Sequence, residues 1–415
     1  MKKILQHDLV RRSALFTLPV VAAALVGLVS IPVIMGHVGA TQWGLLATIQ
    51  GACLAFNLMV GLGWGATGPS MVSALPTRER KATYAESLRI RGVAFVVIAP
   101  LAVVACTALT GLPVSTTLLA VLTYVAPAAN ASWYLIGTNR PIALFAFDGA
   151  PATLGQVAGL LAVVRFGTLD AYLAATAAFT LVGVVGSSLY VLRRPEDGPA
   201  RGAHRRWQTT LKAQIPGFAA AASWTAWSAL PIVLVQLIAP TAVTLFGVAD
   251  RFLKFGALAV GPVLQAVQGW LPEAGTSSVR VRARQALLVA GAMGVVGGGA
   301  IALLAPAASS LLTDGKVVLS FGIAALVGAA FLFDAVSHVT AMAVLAAMRA
   351  QRALAASSAL NIVIGLPLVA AMTAAFGAVG AVGGLVVVSL AMALLRVGIA
   401  LRRIQVDEFT TRLSP

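Results

Sequence analysis

Three charged side chains, Asp250, Arg251 and Lys254, lie close together in a stretch that is otherwise apolar and long enough to cross a bilayer. A charge at membrane depth costs about 2.5–3.5 kcal/mol on insertion scales, so such side chains face a cavity or a partner. On a helix Asp250 and Lys254 share a face, and Arg251 lies near it. One carboxylate neutralises only one of the two cations, which predicts a site for an anion such as a pyrophosphate. The alternative is an internal salt bridge that only stabilises the structure.

Three further ionisable residues are candidates for coupling transport to an ion. Asp334 and His338 are four residues apart and share one face of their predicted helix. A carboxylate beside an imidazole can exchange a proton near neutral pH, although the two can equally form a satisfied polar pair. Asp148 has no charged neighbour in its own helix. It can be protonated, bind a cation, or pair with Arg251 or Lys254 across a cavity.

Other polar residues in apolar stretches have simpler interpretations. Arg396 lies near a predicted cytoplasmic helix end, and its long side chain is expected to extend towards that surface. Gln50, Asn57 and Asn130 are single amides on apolar helices. Hydrogen bonding between helices is their expected role, and lining a cavity is the alternative.

The composition requires these residues to be positioned by membrane helices. Of the 415 residues, 59% are hydrophobic and only 10% are charged, whereas soluble domains average about 25% charged. This excludes a soluble enzyme, a disordered chain and a fibrous repeat. The chain has no Walker A motif and no metal-ligand spacing. It is therefore predicted to be neither an enzyme nor dependent on a metal or cofactor.

An all-α integral membrane protein with twelve transmembrane helices is predicted, because about 20 apolar residues are needed for each crossing. The last two helices are separated only by glycines around position 377. The predicted spans are 13–35, 43–66, 92–111, 114–138, 141–164, 169–192, 213–238, 242–271, 286–311, 317–348, 353–376 and 378–401.

The basic residues predict the orientation of these helices. With a cytoplasmic N-terminus, 24 of the 29 Lys and Arg residues fall on the cytoplasmic side and two on the other. Both termini are therefore predicted to be cytoplasmic, in the bacterial cytoplasmic membrane. The net charge of +16 is explained by topology and by anionic lipids, and predicts no nucleic-acid partner.

The chain is predicted to form two pseudo-symmetric lobes of six helices. Residues 1–195 form the first lobe, 196–212 a cytoplasmic linker that begins with Glu-Asp-Gly-Pro, and 213–415 the second lobe. Each lobe begins with basic residues and an early proline, Pro19 and Pro216. Parallel repeats of this kind occur in transporters that expose a central cavity to alternate sides.

Four short motifs occur in order along the chain: Val38–Leu45, Trp133–Gly137, Phe246–Arg251 and Phe376–Ala381. They resemble the LGxxxYG, W-[FY]-x-x-G, Y-x-x-A-D-R and LGxxGAA motifs of the bacterial O-antigen and exopolysaccharide flippases. These belong to the multidrug/oligosaccharidyl-lipid/polysaccharide exporter superfamily. Trp43 departs from the usual Tyr or Phe. The absence of charge from residues 13–66 also departs from the related lipid II flippases.

The resemblance implies the multidrug-and-toxin-extrusion fold and a flippase for an undecaprenyl-pyrophosphate-linked oligosaccharide. Arg251 and Lys254 would then contact the pyrophosphate, with Asp250 tuning their charge. Implied partners are membrane lipids and a glycan polymerase or glycosyltransferases. Two alternatives stay open: a cation-coupled exporter of amphipathic small molecules, and a non-transporting scaffold of a glycan-assembly complex.

Overall fold

The computed structural model describes residues 26–194, 207–271, 275–348 and 350–413, which are almost entirely helical and contain no strand. Residues 13–25 of the first predicted span and residues 195–206 of the predicted linker region lie outside the described residues. The prediction of an all-α fold is confirmed for the part that is described. The chain divides into two compact units, one ending at Leu230 and the other beginning at Pro231. The lobe boundaries predicted from the sequence remain a prediction.

The first unit contains nine complete helices and the beginning of a tenth, counted over its described residues. They are α1 (Val26–Val38), α2 (Ala40–Gly61), α3 (Trp64–Ala74), α4 (Thr77–Thr110), α5 (Val114–Tyr124), α6 (Ser132–Gly137), α7 (Pro141–Leu144), α8 (Ala150–Phe166), α9 (Leu169–Arg193) and α10 (Trp207–Ile238). Helix α10 continues past Leu230 into the second unit. A 3-10 turn, Ala126–Ala129, precedes α6, and a π-helical segment, Phe145–Gly149, joins α7 to α8.

The second unit contains five further helices within the described residues. They are α11 (Val243–Trp270), α12 (Gly275–Leu312), α13 (Phe321–Val339), α14 (Gln351–Leu360) and α15 (Leu366–Leu413). The π-helical segments Thr340–Leu345 and Asn361–Gly365 follow α13 and α14. Helix α15 is broken at Gly377, where φ is 59° and ψ is −134°. This break lies where the sequence divides the last two predicted spans.

Nine helical stretches in the described part of the chain are long and apolar enough to cross a membrane. They cover 40–74, 77–110, 114–137, 141–166, 169–193, 217–238, 281–312, 321–345 and 352–404. The last of these contains the break at Gly377, and α11, which carries the three charges, is not among the nine. The total of twelve crossings therefore remains a prediction.

The segment 67–91 is helical, although the sequence analysis assigned most of it to a cytoplasmic loop. Helix α3 ends at Ala74, and α4 begins at Thr77 after a turn at Leu75 and Pro76. The start of α4 is rich in Arg, Glu, Ala and Leu, which have high helix propensity, so the helix extends beyond its apolar part. Arg91 lies within α4 and is 1% exposed, so it is not part of a loop, while the cytoplasmic side assigned to it stays a prediction.

Glycines allow α12 and α13 to make a backbone-to-backbone contact in the second unit. A Cβ on Gly298 would lie 2.5 Å from the carbonyl oxygen of Gly328, and real Cβ atoms do not approach so closely. A Cβ on the adjacent Gly299 would meet nothing within 4 Å. The contact aligns α13, which carries Asp334 and His338, against its neighbour.

Replacing Gly298 by alanine should therefore destabilise the protein, whereas Gly299→Ala should not. Forcing a methyl group into a packed contact costs about 1–3 kcal/mol. Alanine in an open helical position instead gains up to about 1 kcal/mol of helix propensity. The measurement is the melting temperature of the detergent-purified protein. It is read from the height of the monodisperse peak in fluorescence-detected size-exclusion chromatography after heating. Equal melting temperatures for the two variants would contradict the close contact.

Candidate functional site

The cationic group lies on α11, in the second unit. Asp250 and Lys254 form an ion pair, with 2.5 Å between Oδ2 and Nζ, and their side chains are 14% and 41% exposed. Arg251, on the next position of the helix, is half-buried. The ion pair that the sequence analysis gave as the alternative is therefore present. The three residues still carry a formal charge of +1. The Lys254 ammonium has three donors, of which the ion pair with Asp250 uses one.

The neighbouring residues of α11 position this group. Phe246, Val248 and Ala249, which precede the charges, are each 1% exposed. Further along the helix, Gly256 faces the ring of Phe331 on α13, and a Cβ there would lie 2.7 Å from Cδ2 of that ring. Because α11 is held against α13 by this contact and by buried apolar residues, the charged side chains occupy the half-buried positions that remain.

Asp334 and His338, on α13, have a further charged group, Arg396, nearby in the second unit. Asp334 is exposed and lies within electrostatic range of both His338 and Arg396. Arg396 donates from Nη1 to the Ser337 hydroxyl at 2.9 Å and from Nε to the Ser357 hydroxyl at 3.2 Å. Arg396 therefore bonds to neighbouring helices, and its extension towards the cytoplasmic surface stays a prediction. The two hydroxyls satisfy its guanidinium inside the bundle, where an unpaired donor is costly.

Asp148 lies in the π-helical segment between α7 and α8. Its Oδ1 accepts a hydrogen bond of 2.8 Å from the Asn130 side-chain amide, and the hydroxyl of Ser132 also interacts with the carboxylate. Both of these partners are neutral. The three possibilities given by the sequence, protonation, cation binding and pairing with a distant cation, therefore all remain open for this carboxylate.

Pro151 explains the irregular helix around Asp148. A proline lacks the N–H that would bond to the carbonyl four residues earlier, here that of Phe147. This carbonyl lies against α9, where a Cβ on Gly183 would be 2.7 Å from its oxygen. π-Helical segments redirect side chains and are frequent at functional sites. The segment thus places Asp148 beside Asn130.

Gln50 and Asn57 on α2 bond to a neighbouring helix, as the sequence analysis expected, whereas Asn130 lies in a break between helices and not on a helix. Asn57 donates to the Tyr124 carbonyl oxygen at 3.0 Å, and Gln50 donates to the Tyr124 hydroxyl at 2.9 Å. Asn130 bonds to Asp148 in the same manner. The kind of interaction was predicted, but its partners were not.

Two features bear on cofactors and redox chemistry. Within the described ranges, no group of three or more His, Cys, Asp or Glu residues could hold a metal ion. The buried Cys53 and Cys106 are free, with their Sγ atoms 4.0 Å apart. The sequence gave no signal that these two thiols lie close together, because the residues are 53 positions apart.

The residues that sequence reasoning missed are Arg91, Ser132, Ser337 and Ser357. Serines on apolar helices carry no signal of their own, because their role depends on which helix lies opposite. Arg91 followed a run of other basic residues and was counted with them. A signal was available only in its position directly before the apolar stretch that begins at Gly92.

No family model and no curated protein matches this chain. Solved structures do match it over nearly its whole length. An inward-facing multidrug resistance MATE family transporter of the MOP superfamily is 16% identical, with a TM-score of 0.66, over 95% of this chain and 96% of that chain. The lipid II flippase MurJ, in its inward closed conformation, is 10% identical, with a TM-score of 0.73, over 95% and 92%. A mutant of the Vibrio cholerae MATE transporter VcmN is 15% identical, with a TM-score of 0.56, over 95% and 97%.

These structural matches establish the fold. At identities of 16% or less they establish nothing finer. The predicted multidrug-and-toxin-extrusion fold is confirmed, and it is a fold of multi-pass membrane transporters. The number of crossings, the symmetry of the lobes and the narrower resemblance to polysaccharide flippases are not established by it.

Proposed function

We propose that this chain, with the fold shared by MATE transporters and MurJ, is a flippase for an undecaprenyl-pyrophosphate-linked oligosaccharide. It would move this substrate across the bacterial cytoplasmic membrane by alternating access, for cell-surface polysaccharide synthesis. The observation that carries the proposal is the net positive group Asp250–Arg251–Lys254 on an apolar helix. A structural neighbour with this fold is a lipid II flippase, which supports a lipid-linked substrate.

The cationic group would act by replacing the water around the pyrophosphate. Arg251 can contact two phosphate oxygens at once through its planar guanidinium, and Lys254 adds a point charge. Before the anion arrives, the ion pair with Asp250 holds the Lys254 ammonium. The ammonium can then bind the anion without a large movement, because its side chain is 41% exposed. Asp250 thus limits repulsion between the cations while leaving an excess positive charge.

An ion gradient would give the transport its direction. Asp148, with neutral hydrogen-bond partners, and Asp334, beside His338 and Arg396, are the candidate carboxylates. A carboxylate that binds a proton or a metal cation on one side and releases it on the other couples that ion to the conformational change. We assign the coupling to these residues without specifying the ion.

The partners follow from the chemistry of the substrate. Lipid-linked oligosaccharides are assembled by glycosyltransferases on the cytoplasmic face and consumed on the outer face. A glycan polymerase or glycosyltransferases are therefore the proposed partners, with membrane lipids around the helices. Both termini are proposed to be cytoplasmic, on the asymmetry of the basic residues.

Two other functions have one supporting observation each. A cation-coupled exporter of amphipathic small molecules is supported by the structural likeness to a multidrug resistance transporter. A non-transporting scaffold is supported by the Asp250–Lys254 ion pair, which can be purely structural. A carrier of cationic drugs should present carboxylates without excess cations, so the charge of the group favours the flippase.

A deletion strain and proteoliposomes separate these functions. For the flippase we expect the deletion strain to lose surface glycan and to keep its drug susceptibility. In proteoliposomes we expect a fluorescent polyprenyl-pyrophosphate-linked sugar to move between leaflets, detected by dithionite quenching of the exposed label. Increased drug susceptibility with normal surface glycan would replace the flippase by the exporter. Loss of surface glycan with no movement of the labelled lipid by the purified protein would favour the scaffold.

A further inference from the structure

Arg91 is buried in the first unit without a carboxylate among its hydrogen-bond acceptors. It lies on α4, directly before the apolar stretch, and is 1% exposed. Its Nη1 donates to the carbonyl oxygens of Ala128 and Asn130, both at 2.8 Å, and its Nε donates to that of Ser87 at 3.4 Å. Its Cζ lies 5.8 Å from the ring centroid of Trp133. The guanidinium is therefore fixed by backbone carbonyls and an aromatic face.

The two carbonyls that accept from Nη1, those of Ala128 and Asn130, belong to a break between helices. Helix α5 ends at Tyr124, and a 3-10 turn ends at Ala129. Asn130 is then extended, with φ −60° and ψ 158°, before α6 begins at Ser132. Carbonyls outside regular helix need other donors, because an unpaired one is costly in an apolar interior. A single nitrogen of Arg91 bonds to two carbonyls within this break, one in the 3-10 turn and one at the extended Asn130, and fixes its shape.

The shape of the break determines where the Asn130 amide is directed. Its Oδ1 accepts a hydrogen bond of 2.6 Å from the Ala131 backbone N–H, and its Nδ2 donates to Asp148 Oδ1 at 2.8 Å. The hydroxyl of Ser187 on α9 also accepts from the Ala131 N–H, at 3.3 Å. Two hydrogen bonds, one to the Asn130 backbone and one from its side chain, thus connect the guanidinium to the Asp148 carboxylate through this one residue.

We propose that Arg91 is a positioning residue for Asp148. Through Asn130 it holds the amide over one carboxylate oxygen and thereby sets the geometry in which Asp148 takes up its ion. Burying a guanidinium against neutral carbonyls is a poor source of stability, because the desolvation cost is large. Its Nη1 instead fixes two backbone carbonyls at once, which is a contribution to geometry. The ion-coupling part of this role rests on the proposed function.

The test compares Arg91→Gln and Arg91→Lys with a matched control. Arg89 lies on the same helix and is exposed, so Arg89→Gln removes the same charge without touching the break. The first readout is labelling of Asp148 by a membrane-permeant carbodiimide, quantified by mass spectrometry. Because the amide would no longer cover the carboxyl group, we expect labelling to rise at least threefold in Arg91→Gln. Arg91→Lys should lie between wild type and Arg91→Gln, and Arg89→Gln should equal wild type.

The second readout is the dependence of transport on the coupling ion in proteoliposomes. We expect Arg91→Gln to raise the ion concentration for half-maximal rate at least tenfold, with a smaller change in the maximal rate. If labelling rises but Asp148→Asn leaves transport fully ion-dependent, the positioning stands and the coupling role of Asp148 fails. Wild-type labelling in Arg91→Gln overturns the positioning role. If Arg91→Gln does not fold, wild-type labelling in Arg91→Lys overturns it equally.

Discussion

Replacing Arg251 and Lys254 together by alanine should reduce export of the lipid-linked glycan about a hundredfold or more, with the protein still folded. A hydrogen bond to a charged group contributes about 1.5–3 kcal/mol. Losing two of them weakens binding by about 3–6 kcal/mol, and every 1.4 kcal/mol is about tenfold. The proposed contacts with the pyrophosphate have no substitute among the remaining residues of the group, because Asp250 would repel the anion.

The double substitution leaves the Asp250 carboxylate without the lysine that now pairs with it. An uncompensated charge in an apolar environment can itself destabilise the protein. A triple variant, Asp250→Asn with both alanines, removes that charge and separates unfolding from loss of binding. Arg352→Ala is the matched control, because Arg352 is an exposed cation near the start of α14.

Export is measured by surface glycan in the complemented deletion strain and by movement of the labelled lipid in proteoliposomes. We expect both alanine variants to fail in both assays, and the triple variant to do so with a normal protein level and melting temperature. Arg352→Ala should behave as wild type. Normal export by the triple variant would eliminate the cationic group as the pyrophosphate site.

Replacing Asp148 by asparagine should abolish accumulation against a gradient, with at least a tenfold fall in the accumulation ratio, while downhill movement continues. An asparagine oxygen can still accept the hydrogen bond from Asn130, so the fold should be retained. The amide cannot carry the negative charge that binds and releases a cation. Coupling is therefore lost, whereas the conformational change itself is not.

Asp170→Asn provides the control for this substitution. Asp170 also accepts hydrogen bonds between helices, from the hydroxyls of Ser115 and Thr116, but it lies at the first turn of α9. It should retain coupling. Asp334→Asn, tested in parallel, distinguishes the two candidate carboxylates. Accumulation that survives Asp148→Asn but not Asp334→Asn would transfer the coupling role to the second unit.

The sequence by itself was sufficient for the helical architecture and for contacts within one helix. Apolar stretches of bilayer length predicted an all-α membrane protein, and the glycine-rich segment predicted the break found at Gly377. The Asp250–Lys254 pair was foreseen as an alternative because helical geometry alone places such residues together. In each case the relevant distance along the chain is short, so the residue types determine the outcome.

Contacts between distant helices were decided only by the tertiary structure. From their position along the chain, Arg91 was placed in a cytoplasmic segment and Arg396 near a cytoplasmic helix end, with no bonding partner for either. Arg91 instead bonds to carbonyls 37 and 39 residues away, and Arg396 to hydroxyls 39 and 59 residues away. Position along the chain relates each cation only to the nearest helix end or loop. A long cationic side chain instead bonds to whichever acceptors the packed helices bring within its reach. Which helices lie within reach depends on packing over the whole unit. The sequence therefore identified Asn130 as a polar residue in an apolar stretch, but not its hydrogen bonds to Arg91 and Asp148.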